Sequence, residues 1–224
     1  MSSQFEIEIK SLLGEKENAD NLRDKLLAKG ATLKSQHKQL NHYFVINDLE
    51  KFKNGLEPHV SELQKDYFKK ILTDGKDFSI RTRDADGKVI LVIKASIDEG
   101  TSSNAVSRME FEDEVGMTLD DLDKLLLENG LEYQAKWSRE REEYKLNDEV
   151  NVTIDKNSGY GYLAEFETVV DSDETVEEEK KMLNDLMNEF GVVELMQDRL
   201  ERMFDFYNKN WRDYYGTDKV FNIE

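Results

Sequence analysis

Stretch after stretch of this chain alternates charged and apolar residues with a period of two. That pattern restricts it to a fold built on strands with two chemically different faces. Residues 5–10 read Phe-Glu-Ile-Glu-Ile-Lys, so Glu6, Glu8 and Lys10 fall on one side and Phe5, Ile7 and Ile9 on the other. Arg81 and Arg83 are set against Ile80 and Thr82 in the same way. Arg108, Glu110 and Glu112 oppose Met109 and Phe111, Thr153 and Asp155 oppose Val152 and Ile154, and Glu165 and Glu167 flank Phe166. Arg139 and Arg141 also stand two residues apart. A single strand of this kind would be half-buried, with its charges in water. Recurrence in strand after strand, with both signs of charge on one face, points instead to a sheet curled around a polar lumen. Helices would then cover the apolar faces.

Helical spacing supplies those helices. Leu22, Leu26 and Leu27 mark a helix from about Lys16 to Lys29, with Gly30 as its stop. Thr118 stands as an N-cap before Leu122, Leu125 and Leu126, and Gly130 ends that segment. Further helices are expected over 175–190 and about 194–215. Strands are expected over 42–46, 78–83, 89–95, 107–115, 133–146, 150–155 and 162–170, with Asp-Ala-Asp-Gly as a hairpin turn after Arg83. Residues 48–77 read as helical pieces broken near Gly55 and Pro58, inserted between strands. Hairpin-linked strands in this number favour closure, which removes exposed edges. The expected fold is α+β: an antiparallel closed β-barrel over 1–172, with the insertion at 48–77, and a C-terminal helical extension over 173–224 packed on it.

Composition narrows the chemistry. The 224 residues contain no cysteine, which removes disulfides, thiolate catalysis and zinc–thiolate sites. The opening residues lack the basic-then-apolar layout of a secretory leader, and no apolar run approaches the roughly 20 residues that span a bilayer. A cytoplasmic location and no membrane partner are therefore expected. With 31 basic and 49 acidic residues the formal charge is −18, which repels nucleic acid over distance. A polyanionic ligand would need locally aimed cations or bridging metal ions. Arginine forks match phosphate oxygens, lysine adds a compact cation, and carboxylates two residues apart offer the hard oxygens that Mg²⁺ or Mn²⁺ prefers. A face holding both signs suits a metal-bound polyphosphate.

The motifs then resemble a family. Glu6-Ile-Glu8-Ile-Lys10 matches the ExExK signature of the CYTH, or triphosphate tunnel metalloenzyme, superfamily. It is followed by Gln39-Leu-Asn-His-Tyr43-Phe, Arg81-Thr-Arg83, Ile93-Lys94, Arg108-Met-Glu110-Phe-Glu112, Arg139-Glu-Arg141, Asp155 and Gly161-Tyr-Leu-Ala-Glu165-Phe-Glu167, in the family's order from about residue 5 to 170. The resemblance implies a triphosphate-containing small molecule as ligand and Mg²⁺ or Mn²⁺ as cofactor. It implies Glu6, Glu8 and Glu167 as metal ligands, with Glu110, Glu112, Asp155 and Glu165 assisting. Arg81, Arg83, Lys94, Arg108, Arg139 and Arg141 become phosphate-binding candidates. Lys10 becomes the catalytic candidate: a desolvated lysine among cations can have a lowered pKa and orient or deprotonate water, or it binds phosphate.

Several activities share that apparatus. The leading expectation is a metal-dependent triphosphatase acting on inorganic triphosphate, thiamine triphosphate or a nucleoside triphosphate. The alternatives are an adenylate cyclase of the class IV type, a non-catalytic polyphosphate-binding module, and an interaction protein using its acidic exterior. A homodimer is compatible with all of them. His37, His42 and His59 have no metal-ligand spacing, Tyr43 is expected to pack or hydrogen-bond, and the C-terminal aromatics fall at helical spacing as core or interface rather than a stacking box.

Overall fold

A computed structural model describes residues 5–96, 108–147, 149–170 and 176–224; the side chains of Phe5, Glu6, Arg108 and Val170 lie outside that description. In chain order the elements are β1 (Phe5–Gly14), α1 (Lys16–Ala28), β2 (Thr32–Ile46), α2 (Leu49–Leu56), α3 (Lys65–Asp74), β3 (Lys76–Ala85), β4 (Lys88–Ser96), β5 (Arg108–Glu114), α4 (Leu119–Glu128), β6 (Leu131–Lys145), β7 (Val150–Asn157), β8 (Gly161–Val170), α5 (Val176–Phe190) and α6 (Gln197–Asn210). The strands pair in the order β1-β8-β7-β6-β2-β3-β4-β5. The pairings β1–β8, β2–β3, β3–β4, β4–β5, β6–β7 and β7–β8 are antiparallel. Among the described residues no pairing joins β1 to β5, so the closed barrel expected from the sequence is not shown. The α+β class and the antiparallel sheet are.

The chain divides into two compact units. One comprises residues 1–38 with 138–224, the other residues 39–137. In the first, Ile7 and Ile9 of β1, Val152 and Ile154 of β7 and Phe166 of β8 share one side of their strands. Leu22 and Leu26 of α1 and Leu183, Met187 and Phe190 of α5 complete that core. Fully burying each Leu or Phe contributes roughly 1.5–3 kcal/mol. The choice of face is therefore strongly set, since a one-residue slip would turn this whole set outward.

The second unit repeats the arrangement. Phe44, Ile80, Leu91, Ile93 and Phe111 from its strands pack with Phe52 of α2, Phe68 of α3 and Leu122 of α4. The segment 48–77 does hold helical pieces, α2 and α3, joined by a 3-10 turn containing Pro58. It is tied to β5 by Asp113, which accepts 2.7 Å bonds from the backbone N–H and the hydroxyl of Ser61. Thr118 caps α4 by accepting from the N–H of Asp121.

The expected hairpin turn is present. Gly87 has φ +88°, a left-handed conformation that favours glycine, and its N–H donates to Asp84 at 2.8 Å. Strand β2 runs to 15 residues where the sequence points only to 42–46. The last helical segment is shorter than expected: α6 ends at Asn210 and passes into a 3-10 turn at Trp211–Asp213. No described helix is long and apolar enough to cross a membrane.

Candidate triphosphate and metal site

With the helices covering the apolar faces, the charged alternate residues share the other face of each unit. In the first unit cross-strand partners place Glu8 opposite Glu167 and Lys10 opposite Glu165. The same register runs on through Thr153 opposite Glu165, and Arg141 opposite Asp155. Lys10 is ion-paired with Glu8 and lies 3.5 Å from Glu165. Arg141 donates from Nε to Asp155 Oδ1 at 2.8 Å and from one Nη to Asp155 Oδ2 at 2.6 Å. The same Nη reaches Glu165 Oε2, and Arg139 lies 3.5 Å from Asp155.

Burial sets how these charges are held. The Asp155 side chain is 2% exposed and that of Glu165 is 16% exposed. For Asp155, burial outweighs Arg141 and Arg139 and pushes the carboxyl above its ordinary value. Burial also opposes the charged form of Glu165, but Arg141, Lys10 and Arg139 together overcome it and hold that carboxyl below its ordinary value. Burial disfavours the Arg141 guanidinium, and its two carboxylate partners more than restore it. The two carboxylates move in opposite directions: Glu165 has Lys10 as a further cation, whereas Asp155 has only Arg141 and Arg139 and feels the negative charge of Glu165.

The second unit carries its own set. Arg83 donates to Asn41 Oδ1 and to Glu112 Oε1, both at 3.1 Å. Arg81 donates to the Tyr43 hydroxyl at 3.0 Å and lies 3.9 Å from Glu110. Lys94 is 2.9 Å from Glu110, its register partner across β4 and β5. Tyr43 thus hydrogen-bonds, as its sequence position suggests. Asn41 is a polar partner that charge parity alone does not single out, although it shares the face of Arg83.

Each expected residue can now be placed. Glu8, Lys10, Arg139, Arg141, Asp155, Glu165 and Glu167 share one charged face in the first unit. Arg81, Arg83, Lys94, Glu110 and Glu112 share another in the second. Glu6 lies in β1 opposite Val169 and Arg108 in β5 opposite Ser96, with their side chains outside the described residues. Lys10 differs from its expected surroundings, because its contacts are two carboxylates rather than cations.

Among the described residues no group of three or more His, Cys, Asp or Glu is arranged to hold a metal ion. The donor chemistry still fits a hard divalent cation. Like charges directly opposite on neighbouring strands are destabilising, and Glu8 faces Glu167 in that way. Mg²⁺ usually takes only one or two protein carboxylates and completes its shell with water and substrate phosphates. Glu8 and Glu167, the two of the expected Glu6, Glu8 and Glu167 set whose side chains are described, offer such oxygens from facing positions on β1 and β8.

Sequence reasoning missed the contribution of α6. Gln197, Leu200, Glu201, Phe204 and Asp205 line a cavity of about 410 Å³ with Lys10, Arg139, Asp155 and Glu165. Their helical spacing, i, i+3, i+4, i+7 and i+8, is a readable signal for one helix face. Of the other C-terminal aromatics Tyr207 and Trp211 are buried, and Phe206, Tyr214, Tyr215 and Phe221 are half-buried. Tyr207 is fully buried, bonds Ser158 at 2.6 Å, and lies among Tyr160, Tyr214 and Phe221.

Comparison with known proteins agrees with this architecture. The structure is similar to the PH1819 protein of Pyrococcus horikoshii OT3, with 22% identity, a TM-score of 0.53, and 86% of this chain and 94% of that chain covered. It is similar to a candidate adenylate cyclase from Vibrio parahaemolyticus, with 13% identity, a TM-score of 0.55 and coverage of 91% and 99%. It is also similar to HpAC1 from Hippeastrum, a candidate adenylyl cyclase with a dominant triphosphatase activity, at 18% identity, a TM-score of 0.50 and coverage of 84% and 89%. No curated protein matches. These likenesses show the fold. The CYTH domain matches residues 4–199, most of the chain and all of its strands, and on that match the chain belongs to the CYTH domain family.

Proposed function

We propose that this protein hydrolyses a triphosphate, held with a divalent cation by its charged strand faces. The observation that carries the reading is the first-unit face, where Glu8 and Glu167 oppose each other beside Lys10 and the Arg141–Asp155–Glu165 group. A surface meant only for water gains little from ion pairs of this kind, and burying them costs desolvation. A ligand carrying several negative charges together with a cation gives both signs a use. Family membership supports the same reading, as does the dominant triphosphatase activity of HpAC1.

In this reading Arg81, Arg83, Lys94, Arg108, Arg139 and Arg141 hold phosphate oxygens. Glu6, Glu8 and Glu167 are the ligands for Mg²⁺ or Mn²⁺, with Glu110, Glu112, Asp155 and Glu165 assisting or balancing the arginines. Held by these carboxylates, Mg²⁺ or Mn²⁺ would supply positive charge to the phosphate oxygens and Lewis acidity toward water. Lys10 touches the terminal phosphate or the attacking water and orients it for in-line displacement. The water oxygen bonds to the terminal phosphorus while the bridging P–O bond breaks. Orthophosphate and the shortened phosphate leave, and the released proton passes to solvent. The arginines stabilise the charge that gathers on the departing oxygen.

The likeness to a candidate adenylate cyclase favours one second reading, in which a ribose hydroxyl attacks the α-phosphorus of ATP and pyrophosphate departs. Product analysis with Mg²⁺ or Mn²⁺ separates them. The proposal expects orthophosphate from tripolyphosphate or ATP, and a loss of at least about 100-fold in kcat/KM on Glu8→Gln. Cyclic AMP with pyrophosphate establishes the cyclase. Metal-dependent binding without any turnover establishes a binding module and refutes the hydrolase.

A further inference from the structure

Asn41 is an uncharged residue on the charged face of the second unit. It is 5% exposed and stands directly opposite Arg83 across β2 and β3. Its Oδ1 accepts from Arg83 Nε at 3.1 Å, and Arg83 Nη1 donates to Glu112 Oε1 at 3.1 Å. Arginine carries donors only, so the amide must turn its oxygen toward the guanidinium. These acceptors come from different strands, β2 and β5, and hold the fork at Nε and at one Nη.

The two acceptors differ in charge and in burial. The Glu112 side chain is 43% exposed, so water weakens its hold on Arg83. Asn41 is enclosed, and an enclosed hydrogen bond is costly to leave unmade. An amide supplies that bond without the desolvation cost of a buried carboxylate. It also does not neutralise the guanidinium. Arg141 shows the opposite case, because Asp155 meets its Nε and one Nη, and Glu165 meets the same Nη. Both arginines are largely shielded from solvent. What differs is the acceptor at Nε, a carboxylate for Arg141 and a neutral amide for Arg83.

Resting on the triphosphate reading, we infer that Asn41 is a positioning residue that aims the Arg83 guanidinium at a phosphate group without neutralising it. An alanine here removes the acceptor of Nε and lets the long side chain spread over its rotamers. An aspartate keeps the shape and the acceptor but sets a negative charge beside the guanidinium, where it competes with phosphate. Asn41 acts through Arg83, so its effect on ligand binding vanishes once Arg83 is removed.

The test is a double-mutant cycle on the full-length protein with Mg²⁺ or Mn²⁺ and tripolyphosphate as ligand. Kd and stoichiometry come from calorimetry, and kcat/KM from orthophosphate release. Asn41→Ala should weaken binding about tenfold on its own, and less than about twofold in the Arg83→Ala background. Asn41→Asp should weaken it at least as much while keeping the Arg83 Nε–H resonance in NMR spectra, which Asn41→Ala should broaden or lose. The stoichiometry corrects each sample for any misfolded fraction. Unchanged affinity in Asn41→Ala, equal losses in both backgrounds, or an Asn41→Asp variant that binds like the wild type overturns the inference. Binding without turnover overturns the hydrolase reading alone, since Kd still closes the cycle. No binding by the wild type overturns both.

Discussion

Arg141 bonds two carboxylates at once, Asp155 and Glu165, on a face where all three side chains are largely shielded from solvent. Replacing it by glutamine strands two negative charges, and removing one partner of a buried ion pair costs about 3–5 kcal/mol. Glu165 gives this a pH signature. Its carboxyl is held below the ordinary 4.5, so its stabilising effect is fully present above that value and is lost as the pH falls through the lowered one. In Arg141→Gln the stranded carboxylates instead become easier to protonate. The variant should therefore be destabilised by about 3 kcal/mol near pH 7 and approach the wild type near pH 4. Denaturant melts at both pH values check this, and a pH-independent gap would refute it. At this scale much was legible, because strand parity is fixed by geometry: Glu8 and Lys10, Arg81 and Arg83, and Glu165 and Glu167 share faces as their alternation implies. The partners of Lys10 were not legible, since contacts depend on neighbouring strands rather than on spacing within one.

At the level of single elements, α4 shows what sequence periodicity misses. Its apolar stripe is readable from Leu122 and Leu126, but Asp123 is equally buried. Its carboxylate accepts from Thr82 Oγ1 at 2.6 Å and the Tyr133 hydroxyl at 2.7 Å, and lies 2.6 Å from His42 Nδ1. Burial opposes its charge, yet His42, Thr82 and Tyr133 together hold it below its ordinary value. Asp123→Ala leaves several buried groups without their acceptor at roughly 1–3 kcal/mol each. A loss of about 3 kcal/mol is expected, or a Tm lower by about 6–12 °C in thermal unfolding. A shift below about 2 °C would show that the network does not hold α4. His42, which the sequence marks only as lacking metal-ligand spacing, is part of this buried network. The first half of β2 was illegible for another reason: Lys34, Gln36 and Lys38 alternate with Ser35 and His37, so neither face is apolar and period two leaves no trace.

For the molecule as a whole, the excess of 18 negative charges makes a phosphate ligand unwelcome except where cations are concentrated. That tension was readable from composition, and it is why the mixed-charge strand faces carried more information than any single motif. The order of the motifs led to the family, and the match over residues 4–199 shows it. What composition and parity could not foresee was the part played by α6, because a helix far along the chain reaches a strand face only through tertiary packing. The central claim is that opposed charges on the sheet hold a triphosphate together with a divalent cation. Calorimetric titration of tripolyphosphate into the protein, with Mn²⁺ present and again after chelation, tests it most directly. Binding should weaken at least about tenfold on chelation and to a similar extent in Glu8→Gln with Mn²⁺ present. Equal affinity with and without Mn²⁺, unaltered by Glu8→Gln, would contradict it.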